Sequence, residues 1–173
     1  SRALENINLK KENLQLENKM FHSFDFVGES NQIVKIKKLI NKLSSTDSRV
    51  LVSGPTGSGK ELVARKIHKN SNRSNNPFIV LNGALLQPDN YEHELFGSEN
   101  KDGSITYGFL EKAANGTLLI DEVSEIPLDT QAKILRVLID QKFKRINGNH
   151  DIKVDVRIVC STSKDIKKEI LHG

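Results

Sequence analysis

The stretch that most constrains this chain is Gly54-Pro55-Thr56-Gly57-Ser58-Gly59-Lys60. Its glycines let the backbone turn so that successive N–H groups face inward, where they can cradle an anion. The apolar run Val50-Leu51-Val52 enters this loop, and Glu61–His68 leaves it with a helical pattern. A helix beginning there adds the positive end of its dipole and its unpaired N–H groups. Lys60 then reaches the β- and γ-phosphates of a nucleotide. A strand, a glycine loop and a helix in that order predict an α/β fold. One position departs from the common motif: Glu61 stands where Ser or Thr ordinarily ligates magnesium.

The rest of the chain repeats the same alternation. Helical periodicity covers Gln32–Leu43, with apolar positions at 33, 36, 39, 40 and 43. Strands are expected at Val50–Ser53, Phe78–Leu81, Thr117–Ile120 and Val154–Cys160. Helices are expected at Gly59–Lys69, Tyr91–Phe96, Phe109–Ala113, Thr130–Gln141 and Asp165–Leu171, the last capped by Ser163 or Asp165. Alternating strands and helices imply a mostly parallel sheet covered on both faces. Ligands of such sheets bind beyond the carboxyl ends of the strands. Residues 1–23 read as a separate linker helix, and residues 24–173 as the α/β domain. Ile7, Leu14 and Phe21 recur at heptad spacing, which suits either a weak two-stranded coiled coil or a solvated helix packing on its own domain.

Composition narrows the function classes. The 173 residues are 36% hydrophobic and 28% charged, enough for a core under a charged surface and unlike a disordered or fibrous chain. No apolar run approaches the roughly 20 residues that a membrane helix needs. Cys160 is the only cysteine, so no internal disulfide is possible, and a reducing, cytoplasmic setting is expected. The net charge of +4 comes from scattered lysines rather than a basic helix, which argues against nucleic-acid binding by this segment. The five histidines have no metal-ligand spacing.

A second motif gives the glycine loop its chemistry. Leu118-Leu119-Ile120-Asp121-Glu122 is an apolar strand delivering two adjacent carboxylates at its carboxyl end. Asp121 is placed to hold Mg²⁺, directly or through water, and Glu122 to orient or deprotonate an attacking water. The two motifs in this order predict a P-loop NTPase that uses Mg²⁺. No Asn-Lys-x-Asp-type guanine reader follows a strand, which disfavours a GTPase.

The region from Phe26 onward resembles the central AAA+ ATPase domain of bacterial enhancer-binding proteins, the activators of sigma-54 RNA polymerase. The resemblance rests on Phe26-Val27-Gly28-Glu29-Ser30, Gly59-Lys60-Glu61, Phe78–Asn82, Glu94-Leu95-Phe96-Gly97, Gly116–Glu122, Ile134–Leu138 and Val154–Val159. It implies a three-layer AAA+ sandwich in which Gly-Lys-Glu is the usual ending of the loop. It also implies that Val27 and Gly28 border the adenine. Asn82 would hydrogen-bond Glu122, and Ser163 would take the position of the phosphate-sensing residue.

In place of the relatives' Gly-Ala-Phe-Thr-Gly-Ala loop the sequence has the shorter Ser98–Tyr107, so contact with sigma-54 is not expected. That departure is similar to the NtrX-type branch, response regulators paired with a sensor kinase. The resemblance then implies a receiver domain before this segment, and arginine fingers, a lid and a helix-turn-helix DNA-binding domain after it. The segment is therefore expected to be part of a longer regulator that assembles head to tail, with a dimer through the linker helix as an option. ATP hydrolysis is expected only in a longer assembled chain. The alternative is a nucleotide-gated oligomerisation scaffold with vestigial hydrolysis that acts by occupying DNA.

Overall fold

The computed structural model describes residues 26–172. The expected linker helix, its coiled-coil seam and the boundary at residue 23 lie outside them. The chain divides into two compact units after Lys38. Helix α1 (Asn31–Ser44) begins in the first and ends in the second; Ser30 opens it, its hydroxyl accepting from the Ile33 amide at 3.4 Å.

The second unit is built on four strands: β1 (Val50–Ser53), β2 (Phe78–Asn82), β5 (Thr117–Asp121) and β8 (Arg157–Thr162). They lie in the order β1-β8-β5-β2, all parallel. Between them run α2 (Lys60–Lys69), α3 (Tyr91–Phe96), α4 (Phe109–Lys112), α5 (Leu128–Asp140) and the terminal α6 (Ile166–His172). Two small hairpins complete the fold, β3 (Ser98–Glu99) with β4 (Ile105–Thr106) and β6 (Lys142–Phe143) with β7 (Ile152–Lys153).

Alternation along the central strands builds a core on each face. Leu118, Ile120 and Ile158 join Leu81, Leu95, Phe96 and Ile134 in the larger one. Leu119 and Val159 pack with Ala64 of α2 in the other, against Val52, Phe78 and Val80. A strand buried on both faces reads as an unbroken apolar run, which is the pattern of β5. Leu118, Leu119 and Ile120 are fully buried, each contributing roughly 1.5–3 kcal/mol. The expected three-layer α/β sandwich is the observed fold.

Two boundaries differ instructively. The strand expected at Val154–Cys160 runs instead from Arg157 to Thr162. Ser161 and Thr162 are polar but fully buried, because the ladder to β1 continues through them. At the other end, the Asp155 carbonyl leaves the sheet to accept the Asn115 amide at 2.6 Å. Helix α5 begins at Leu128 rather than Thr130, directly after Pro127. Of the two offered caps for α6, Asp165 is the one used, accepting from the Lys167 amide at 3.1 Å.

Candidate nucleotide site

The carboxyl ends of β1, β5 and β8 bring the two sequence motifs together. The loop from Gly54 to Lys60 is tied to β8 by the Gly54 amide, which donates to the Thr162 carbonyl at 3.2 Å. Gly57 and Gly59 have φ of 79° and 87°. A methyl group at either would meet nothing within 4 Å, so the need for glycine there is torsional rather than steric. Pro55, Thr56 and Ser58 are exposed. Gly59 is the N-cap of α2, and Lys60 is its first residue.

Lys60 is 8% exposed, and an ammonium so buried needs partners. Its Nζ donates to the carbonyls of Gly54 at 3.0 Å and Pro55 at 3.4 Å. It also lies 3.2 Å from Oε1 of Glu122. The expected phosphate lysine and the expected catalytic glutamate are thus in direct contact. Glu61 takes no part: it pairs with Arg65 one turn along α2, at 2.6 Å.

Glu122 follows β5 with a left-handed backbone, φ 52° and ψ 54°. This turn lets its carboxylate meet the end of β8, where the Ser163 amide and hydroxyl donate to Oε2 at 2.7 and 2.9 Å. Burial pushes the Glu122 carboxyl up, but the two Ser163 hydrogen bonds and the Lys60 ammonium outweigh it and hold the group below its ordinary value. Asp121, at the strand end, accepts a short hydrogen bond from the fully buried Ser161 hydroxyl.

The expected Asn82–Glu122 hydrogen bond is not formed. Asn82 lies in register with Asp121, one residue short of Glu122, and its Oδ1 accepts from the Ala84 amide at 2.9 Å, closing a local turn. Ser163 makes the contact assigned to Asn82. Val27 and Gly28 belong to the first unit, where Val27 is exposed and the Gly28 carbonyl accepts from Lys37 at 3.0 Å. Sequence reasoning missed Ser161, the Lys60–Glu122 pair and the brace between Ser124 and Thr162 hydroxyls at 2.8 Å. The run Ser161-Thr162-Ser163 at a strand end was the available signal.

This geometry can hold an anion through the loop amides, the α2 N-terminus and Lys60. It offers two adjacent carboxylates for a metal and a water. Among known proteins, nitrogen assimilation regulatory protein NtrX of Azorhizobium caulinodans is 42% identical over 99% of this chain and 38% of its own length. The crystal structure of NtrX from Brucella abortus superposes with a TM-score of 0.85 at 44% identity, over 99% of this chain and 38% of that one. The same protein in complex with ATP gives 0.83 at 42% identity, over 99% and 36%. The P-loop NTPase domain of the sigma-54 transport activator from E. coli gives 0.57 at 18% identity, over 84% of each chain, a likeness of fold alone. The chain spans little more than a third of the NtrX proteins it matches. The sigma-54 interaction domain family matches residues 26–173, taking in the sheet, the glycine loop and both carboxylates, and this chain belongs to it.

Proposed function

We propose that this chain is the ATP-binding AAA+ module of an NtrX-like two-component transcriptional regulator. The observation that carries the reading is Lys60, buried at the mouth of a glycine loop and facing the Glu122 carboxylate that follows β5. The likeness to an NtrX described in complex with ATP supports it. In this reading the loop amides and Lys60 take the phosphates, and Glu122 orients or deprotonates the attacking water. Val27 and Gly28 border the adenine.

Magnesium takes one or two carboxylates and completes its six oxygens with water and phosphate. Asp121, steadied by Ser161, fits that donor set, whereas Glu61 is engaged by Arg65. Bound there, the ion would neutralise charge on the phosphates. The regulator would assemble head to tail, receive its signal from a sensor kinase through a receiver domain, and reach DNA through a helix-turn-helix domain.

A second reading, the nucleotide-gated scaffold with vestigial hydrolysis, is favoured by the Ser98–Thr106 hairpin. It has strands of two residues where sigma-54 activators carry their contact loop. Calorimetry with Mg·ATP tests the common ground. Lys60→Ala removes a charge-assisted phosphate contact, so binding weakens at least about tenfold. Equal affinity in the variant contradicts the phosphate-loop assignment. In a longer chain that carries the expected arginine fingers and lid, phosphate release that rises with protein concentration supports the hydrolytic reading, and binding without release supports the scaffold.

A further inference from the structure

Ser161 carries a hydroxyl into a place that solvent does not reach. The residue is fully buried on β8, the strand between β1 and β5. The register that pairs Ile120 with Cys160 brings Asp121 and Ser161 side by side at the next step. Neighbouring strands turn such side chains to the same face. A buried hydroxyl needs a partner, and an ionised carboxylate can only accept. Ser161 therefore gives its one proton to Oδ1 of Asp121, in a short hydrogen bond. Bonds to a charged acceptor are among the stronger ones. The backbone of Asp121 is fixed as well, its carbonyl accepting from the Gly83 amide at 2.7 Å. Oδ1 is thus committed, and Oδ2 is the oxygen left to meet a cation. Glu61, in the place of the usual hydroxyl ligand, is paired with Arg65 at 2.6 Å, which leaves Asp121 with more of that task.

We propose that Ser161 is a positioning residue that restricts Asp121 to single-oxygen coordination and so sets a preference for Mg²⁺ over Ca²⁺ beside the nucleotide phosphates. Mg²⁺ demands a near-ideal octahedron of oxygens at about 2.0–2.1 Å. Ca²⁺ takes about 6–8 oxygens at about 2.3–2.6 Å and readily accepts both oxygens of one carboxylate. Asp121 with Oδ1 tied to Ser161 suits the smaller ion. Without the hydroxyl the carboxylate can turn and offer both oxygens, which favours the larger one. This inference rests on the nucleotide-binding reading above and deepens it, from which carboxylate meets the metal to which metal that carboxylate accepts.

The test is calorimetry of the chain with ATP in Mg²⁺, in Ca²⁺ and in EDTA, for the wild type, Ser161→Ala and Ser161→Cys. The quantity read is the gain in affinity that each ion adds over EDTA. In the wild type Mg²⁺ should add more than Ca²⁺. Ser161→Ala leaves every charge in place and removes the tether. Its Mg²⁺ gain should fall about tenfold, while the Ca²⁺ gain holds or rises, so the preference narrows. Ser161→Cys fills the same space with a weak donor and should behave like Ser161→Ala. A wild-type preference that survives in Ser161→Ala overturns the inference. So does a loss in Ser161→Ala that Ser161→Cys restores, which would mark a packing role. A wild type that gains nothing from Mg²⁺ overturns it too. In each of these cases ATP still binds, and the nucleotide reading stands. No ATP binding by the wild type in any of the three conditions defeats that reading and the inference with it.

Discussion

The two ends of the sheet each bury a cation and use it differently. At the amino end Arg157 is 2% exposed, and its Nη2 donates to the Leu43 carbonyl at 2.8 Å. Its Nε and Nη1 are sealed in with no partner among the described residues, and burial pushes the guanidinium below its ordinary value. Beside it, Arg73 is saturated by Asp47 at 3.0 Å and Asp155 at 2.7 Å. Arg49 donates to the Leu138 carbonyl at 2.6 Å. A cleft of about 440 Å³ opens among these residues. Arg73 and Arg49 beside it, however, are committed to ion pairs and a fixed carbonyl.

At the carboxyl end Lys60 faces a carboxylate on a turn, a partner that a phosphate can replace. Two loop glycines differ from one at the amino end in the room around them. Gly57 and Gly59 have open space around them, whereas a methyl on Gly116, at the amino end, would lie 2.0 Å from the Pro77 carbonyl oxygen. One end is built for exchange and the other for packing.

That contrast can be broken by substitution. Gly116→Ala forces backbone against backbone and should cost about 3 kcal/mol or more. Urea denaturation measures it, and a loss below about 1 kcal/mol would mean the amino end is not tightly packed. His68 probes the same end through pH. Its Nδ1 lies 2.9 Å from the Thr117 hydroxyl. Burial, aided by the charges of Arg157 and Arg65, pushes its pKa from 6.5 down to about 4. The folded state therefore keeps His68 neutral while the unfolded chain takes up a proton near pH 6.5. The stability due to this group is complete above that pH and is lost as pH falls toward 4. Denaturation at several pH values should show the decline, and His68→Gln should flatten part of it. Gly59→Ala is the smaller perturbation. It meets no atom, but φ of 87° is unfavourable for a side chain, so the loss should be about 1–2 kcal/mol. A loss equal to that of Gly116→Ala would erase the distinction between the two ends.

The sequence shows β5 plainly because a strand buried on both faces is apolar through its middle, here Leu118–Ile120. It shows the glycine loop because the required backbone torsions restrict residue choice. It does not show the β6–β7 hairpin, whose two-residue strands are too short for any periodicity. The end of β8 is hidden for another reason. Ser161 and Thr162 are polar for hydrogen bonds to Asp121 and Ser124, not for solvent, and polarity alone cannot separate the two. The partner of Glu122 depended on a left-handed turn at a non-glycine residue, which residue types do not announce.

Nucleotide is expected to bind where the cation's partner is exchangeable. The most direct measurement is a map of amide NMR shifts in the ¹⁵N-labelled chain on adding Mg·ATP. Large changes are expected at Gly54, Gly57, Ser58, Lys60, Glu122 and Ser163, with His68, Arg73, Asp155 and Arg157 nearly still. Changes concentrated around Arg73, Asp155 and Arg157, with the glycine loop unmoved, would contradict that expectation.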